Sequence, residues 1–292
     1  MTEKFICFDI GGTKIFQGVV EVDFGRRKFE FLDSKTIKNP INAEEIKQIT
    51  IDYCQKNKEK FKTNKIAVSC PSLVDSRNLK VSNAKKAYGT EEFSFIFLKK
   101  AGFQVVIKND GKSFVLGEYY FNNNESKQGL LTLTLGTRIG GGFIDSNGQL
   151  FEGRSESAVE LSYIKMFIDN QWKKWCEISS GKGIEKMYLE KTGKIKETKI
   201  IFELSRTGDK IATEIIVKSQ EYLEQGIISL IEIFNPEKIV FGGGISSQRD
   251  YIEKVMKFAR KDIFHKKIFP EWSISELKEE TNVLGVCALY YI

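Results

Sequence analysis

Several short stretches of this chain combine residue types that can do chemistry. Phe5-Ile6-Cys7-Phe8 is an apolar run of strand character that ends in Asp9, turns through Gly11-Gly12 and presents Thr13 and Lys14. Paired glycines let backbone N–H groups approach an anion closely, because no Cβ intervenes. A carboxylate at the strand end can hold hydrated Mg²⁺, which binds through few carboxylates plus phosphate oxygens. The same residues also fit a plain hairpin turn, so partners elsewhere must decide. Asn109-Asp110 closes another strand and opens a helix at Gly111. A carboxylate there is a natural general base for an alcohol, and either residue would also make a good N-cap. Leu135 to Gly142 reads as a second phosphate loop, with Thr137 as hydroxyl donor, or as a glycine-rich hairpin. Gly242-Gly243-Gly244 follows a strand and makes room for a flat ring, or simply turns the chain into a helix. Glu160 is a further carboxylate able to hold a substrate hydroxyl.

The elements that must position these residues follow from periodicity. Strand, turn and strand fill residues 4–38, with a third strand near Lys28–Ile37. A helix follows from about Asn42 to Lys58, with Ile46, Ile49, Tyr53 and Cys54 on one face. Ile66–Ser69 and Gln104–Asn109 read as strands, Phe93–Ala101 and Gly111–Phe121 as helices. A second cycle starts with strand Leu130–Leu135, a glycine-rich turn over 136–142, and strand Phe143–Asp145. Helices are predicted over Ile178–Leu189, Thr198–Ser205, Asp209–Phe234 and Ser247–Lys261, with a strand at Lys238–Phe241 and a closing helix at Leu284–Tyr291. This alternation predicts an α/β fold. The strand–glycine turn–strand pattern near residues 10 and 138 suggests two related halves. The polar and glycine-rich sites all fall at strand ends, where open α/β sheets collect ligands.

Bulk properties narrow the function classes. With 292 residues, 41% hydrophobic and 29% charged, the chain has the composition of an ordinary soluble globular protein of about two domains. The net charge of +6 is spread over many lysines. The basic stretches 56–62 and 257–267 lack interleaved aromatics and read as solvated helix faces, so no nucleic-acid partner is expected. Five scattered cysteines form no C-x-x-C pair and lie mostly in apolar runs, which fits neither a disulfide framework nor a zinc ribbon. No signal-peptide pattern and no run of membrane-spanning length is present, so a cytoplasmic protein without a membrane partner is expected. His265, the single histidine, sits in a basic segment, which disfavours hydrolase mechanisms built on histidine.

Taken in order, the motifs resemble the ROK family of sugar kinases, within the two-domain actin-like ATPase (ribonuclease H-like) fold with an interdomain cleft. Phe8–Lys14 resembles its first phosphate motif. Ser69–Asp75 is similar to its Pro-Gly-x-Val-Asp stretch, with Ser72 in place of the glycine. Asn109-Asp110 matches its substrate-binding and catalytic pair, Leu135–Gly142 its second phosphate motif, Asn235–Gly244 its adenosine-side motif, and Leu284–Ala288 its C-terminal helix signature. The resemblance spans residues 4–291. It implies an N-terminal domain of residues 1–115, with a C-terminal helix over 281–292 packing back on it, and a larger domain of residues 116–280.

The resemblance implies phosphoryl transfer from ATP to a sugar hydroxyl. Asp110 would take the proton and Asp9 would position Mg²⁺. Gly11, Gly12, Thr13, Lys14, Gly136, Thr137, Gly242, Gly243 and Gly244 would bind ATP; Ser72, Asn83, Asn109, Asp110, Glu160, Tyr163 and Glu177 would bind the sugar. It also implies a homodimer. Sugar-responsive repressors of the family carry a DNA-binding segment ahead of the phosphate motif, whereas here eight residues precede Asp9. The departures are informative too. Tyr163 stands where the family commonly has a zinc-binding histidine, and only Cys176 remains of its cysteine cluster. One thiolate cannot build a tetrahedral site, so no structural zinc is expected. Zinc-less members occur among bacterial N-acetylmannosamine kinases, which directs the expected substrate to an N-acylhexosamine phosphorylated on its 6-hydroxyl; glucose, fructose and β-glucosides are the alternatives.

Overall fold

A computed structural model describes residues 2–122, 128–277 and 280–292. The chain separates into two compact units: Met1–Glu125 with Leu150–Ala158 and Glu276–Ile292, and Ser126–Gln149 with Val159–Ser275. In the first unit the helix Asp110–Phe121 packs against the C-terminal helix Glu280–Ala288.

The first unit is built on a five-stranded sheet of order β3-β2-β1-β4-β8. Its strands are β1 (Thr2–Ile10), β2 (Lys14–Asp23), β3 (Lys28–Lys38), β4 (Lys65–Cys70) and β8 (Gln104–Asn109). β1 pairs antiparallel with β2 and parallel with β4, and β4 pairs parallel with β8. Alternation decides the layers. Ile6, Phe8 and Ile10 enter one core with Ile46, Tyr53 and Cys54 of helix α1 (Ala43–Phe61). Phe5 and Cys7 point the other way, into a core with Phe121 of α4 (Asp110–Phe121) and Val283, Leu284 and Cys287 of α10 (Glu280–Ala288). Helix α1 starts where Asn42 caps the N–H groups of Glu44 and Glu45, and stops at Lys62 in a left-handed turn. A small antiparallel sheet of β5 (Leu73–Asp75), β6 (Lys80–Ser82) and β7 (Glu92–Ser94), with the short helices α2 (Lys85–Tyr88) and α3 (Ile96–Lys100), fills the span between β4 and β8. The expected helix over Phe93–Ala101 is therefore strand β7 followed by α3.

The second unit carries a four-stranded sheet of order β10-β9-β13-β14: β9 (Leu130–Leu135), β10 (Ile139–Ile144), β13 (Lys238–Gly242) and β14 (Glu271–Ile274). Again an antiparallel pair is extended by parallel neighbours. Gly140–Gly142 lies inside β10, so the expected seven-residue glycine turn shrinks to residues 136–138. The hairpin β11 (Lys165–Ile168) and β12 (Gln171–Lys174) leads into α5 (Cys176–Ser179) and α6 (Gly181–Thr192), where one helix was expected; Ser180, extended at φ −91° and ψ 172°, breaks it and caps α6. Helices α7 (Thr198–Arg206), α8 (Lys210–Phe234) and α9 (Arg249–Asp262) complete the unit. Trp175 is fully buried against Gly226 of α8 and donates from Nε1 to the Tyr222 carbonyl at 3.0 Å. Among the described residues, no helix is long and apolar enough to cross a membrane.

Candidate active site

In the first unit the predicted residues gather at the carboxyl ends of β1, β4 and β8. Register places Asp9 beside Ser69, and Cys70 beside Asn109. After β1 the chain closes a tight turn, with the Gly11 N–H donating to the Lys14 carbonyl at 2.9 Å. Gly12, Thr13 and Lys14 are exposed at its tip. Sequence reasoning missed the residue that holds this turn. Buried Asn39, just beyond β3, donates from Nδ2 to the carbonyls of Gly11 (2.6 Å) and Ala87 (2.8 Å). Its own N–H donates to the Thr13 carbonyl at 3.0 Å, and its Oδ1 accepts from the Ile41 N–H at 2.7 Å. Its side chain and its N–H thereby tie the turn to α2 and to the loop that follows β3.

Asn109 and Asp110 take separate roles. Asn109 is the N-cap of α4, its Oδ1 accepting from the N–H groups of Gly111 and Lys112 and its Nδ2 donating to the Ser72 carbonyl at 3.0 Å. Asp110 is the first helical residue, with Oδ1 accepting from the Gly111 N–H at 2.8 Å. The positive end of α4 favours negative charge there. Beneath these groups lie the buried Cys70 thiol and Tyr88 hydroxyl. Burial pushes both up, and the charges of Asp9 and Asp110 add to the effect, so both stay protonated. Asn282 of α10 donates from Nδ2 to Asp9 Oδ2 at 3.3 Å. Ser72 and Asn83 adopt left-handed backbones (φ 73° and 55°), a conformation that asparagine tolerates far better than serine does.

Within the second unit, the 136–138 turn and the 242–244 run meet. Gly243 (φ 85°) has its Cα packed on the backbone of Leu135, where an added Cβ would stand 2.6 Å from the carbonyl oxygen. Gly136 and Gly244 face open space. The N-terminus of α6 abuts the same turn, the Gly181 N–H donating to the Gly136 carbonyl at 2.8 Å. Glu160 precedes a 3₁₀ turn, Leu161–Tyr163, which Ser162 laces to β10 through both the N–H and the carbonyl of Ile139. Tyr163, half exposed, accepts a hydrogen bond from Arg138 Nη1 at 3.2 Å, and its ring lies near the Arg138 guanidinium and the Lys174 ammonium. Arg138 is thus tied to Tyr163. Glu177 lies on α5, its carboxylate accepting from the Lys174 N–H at 3.0 Å and lining a 420 Å³ groove with Asp169, Trp172 and Lys186.

The ROK family profile matches residues 5–291. The chain belongs to the ROK family. Among its relatives, N-acetyl-D-glucosamine kinase of Vibrio vulnificus is 28% identical over 86% of this chain and 87% of that protein. Two solved structures share the fold at lower identity. Lmo2764 of Listeria monocytogenes, provisionally described as an N-acetylmannosamine kinase, superposes with a TM-score of 0.84 at 24% identity over 99% of both chains. A ROK glucokinase of Streptomyces griseus, solved with glucose and AMPPNP, superposes at 0.79 and 23% identity, covering 98% of this chain and 99% of that one. The fold is the actin-like ATPase fold, its sheets mixed.

Proposed function

We propose that this ROK protein, a sugar kinase by family, transfers the γ-phosphoryl group of ATP to the 6-hydroxyl of an N-acylhexosamine, with N-acetylmannosamine as the preferred acceptor. The observation that carries the reading is the division of labour at the start of α4. Asn109 supplies the cap, and the Asp110 carboxylate, on the first helical residue, is the acidic group at the strand end, the place a general base for an incoming alcohol requires. For the acceptor the proposed contacts are Asn109 and Ser72, which share a hydrogen bond, with Glu160 and Tyr163 assigned to the same role by the family pattern. Tyr163 in the position of the family's histidine supports an acceptor pocket without zinc. The phosphates are assigned to the Gly11–Lys14 turn and to Gly136 and Thr137, the adenosine to Gly242–Gly244.

Asp9 would hold Mg²⁺. Among the described residues no group of three or more His, Cys, Asp or Glu side chains gathers to hold a metal, and a lone carboxylate supplemented by phosphate oxygens and water suits Mg²⁺. When bound, that ion neutralises charge on the phosphates. The chain's own residues then do the rest: Asn39 keeps the phosphate turn closed, Asn282 orients Asp9, and Asp110 accepts the hydroxyl proton. Positioning and charge neutralisation account for most of such catalysis.

The test is an ADP-release assay with Mg-ATP over a sugar panel. N-acetylmannosamine is expected to give the highest kcat/KM and a 6-phosphate product. Preference for N-acetylglucosamine, glucose, fructose or a β-glucoside would keep the kinase and replace the acceptor; binding of a sugar without any ADP release would point to a non-catalytic regulator. A cytoplasmic homodimer is the proposed setting, checked by light scattering.

A further inference from the structure

Lys108 sits directly before Asn109 on β8, yet it is 5% exposed, unusual for a lysine. Its ammonium donates to Glu152 Oε1 at 2.7 Å and to Glu156 Oε2 at 3.0 Å. The other carboxylate oxygen of Glu156 accepts from Ser76, from its Oγ at 2.9 Å and its N–H at 3.3 Å. These contacts bind Leu150–Ala158 into the first unit, although the chain on either side of that segment belongs to the second. The segment is folded tightly: the Ala158 N–H donates to the Glu152 carbonyl, and Glu156 holds a left-handed backbone (φ 55°), as does Val159 (φ 63°) just beyond the segment. For Val159, β-branched, that conformation is an outlier that its surroundings must enforce. Glu160 is the next residue.

We propose that Lys108 is a positioning residue for the sugar acceptor: through Glu152 and Glu156 it fixes the Leu150–Ala158 segment beside the strand end that carries Asn109 and Asp110. The assignment rests on the kinase reading above. A nearly dry ammonium requires its counter-charges, so the segment stays docked while the ammonium is there. Without it, two carboxylates that already touch solvent swing into water and release the segment.

The experiment compares wild type, Lys108→Met and Lys108→Arg by hydrogen exchange and by steady-state kinetics. Lys108→Met is expected to speed exchange within residues 150–158 and to raise the sugar KM about tenfold, with kcat and the ATP KM within about threefold of wild type, the pattern of lost uniform binding. Lys108→Arg, which keeps the charge, is expected to restore most of the sugar affinity. Unchanged exchange in Lys108→Met, an unchanged sugar KM, or exchange rising throughout the first unit would each overturn the proposal. A wild-type protein that releases no ADP with any sugar would instead sink the kinase reading, while the exchange contrast would still report on the tether.

Discussion

Asn109 and Asp110 are chemically close neighbours with divergent fates, and single substitutions separate them. Asp110→Asn keeps the cap and the fold, so kcat is expected to fall by about 10²–10⁴ with little change in melting temperature. Asn109→Ala removes the cap and the bond to Ser72; it should lower stability by about 1–2 kcal/mol as well as weaken sugar binding. Loss of stability with Asp110→Asn, measured by thermal unfolding, would contradict this partition. Asn39→Ala strands buried carbonyls and should destabilise the protein by about 1–3 kcal/mol and raise the ATP KM. The residue pair was legible in the sequence because its types and its strand-end placement coincide. Asn39 was not, because its side chain reaches partners 28 and 48 positions away, and no local pattern marks it. Lys108 was hidden for a related reason: its counter-charges, Glu152 and Glu156, lie some 44 and 48 positions further on.

At the scale of elements, periodicity found what was long enough to have a period. Helices α1, α8 and α9 and strands β1, β4, β8 and β9 stand close to where the pattern of apolar residues placed them. The three-residue strands β5, β6 and β7 and the β11–β12 hairpin were missed, since three or four residues cannot display alternation. In that hairpin Phe167 lies directly opposite Trp172, and a cross-strand aromatic contact (5.4 Å between ring centres) supports what the sequence does not announce. Glycine runs were ambiguous in the same way: Gly140–Gly142 proved to be strand, while Gly243 is demanded by close packing on Leu135. This yields a paired prediction. Gly243→Ala meets both the carbonyl and an unfavourable φ of 85° and should cost about 1–3 kcal/mol in thermal or denaturant unfolding. Gly244→Ala, with nothing within 4 Å of the added methyl group, should fold normally and reveal itself through a higher ATP KM.

On the scale of the whole molecule, the cysteines offer a simple readout. Cys7, Cys54, Cys70 and Cys287 are buried, and burial pushes each thiol up, whereas Cys176 is partly accessible. The native protein should therefore take up about one equivalent of alkylating reagent quickly and the remainder only on unfolding, read by mass spectrometry. Fast labelling of a second site would mean that the first unit opens locally. The architecture of that unit carries a further consequence. Helix α10 packs on α4 so closely that a Cβ on Gly285 would run into the Ser113 carbonyl and one on Gly117 into that of Thr281. Residues 276–292 thus complete a structure begun at the N-terminus, whereas the second unit ends at Ser275. On a ribosome, the half that starts second would be finished first. The nascent first unit must wait for α10 to emerge before the core around Phe5 and Cys7 is complete.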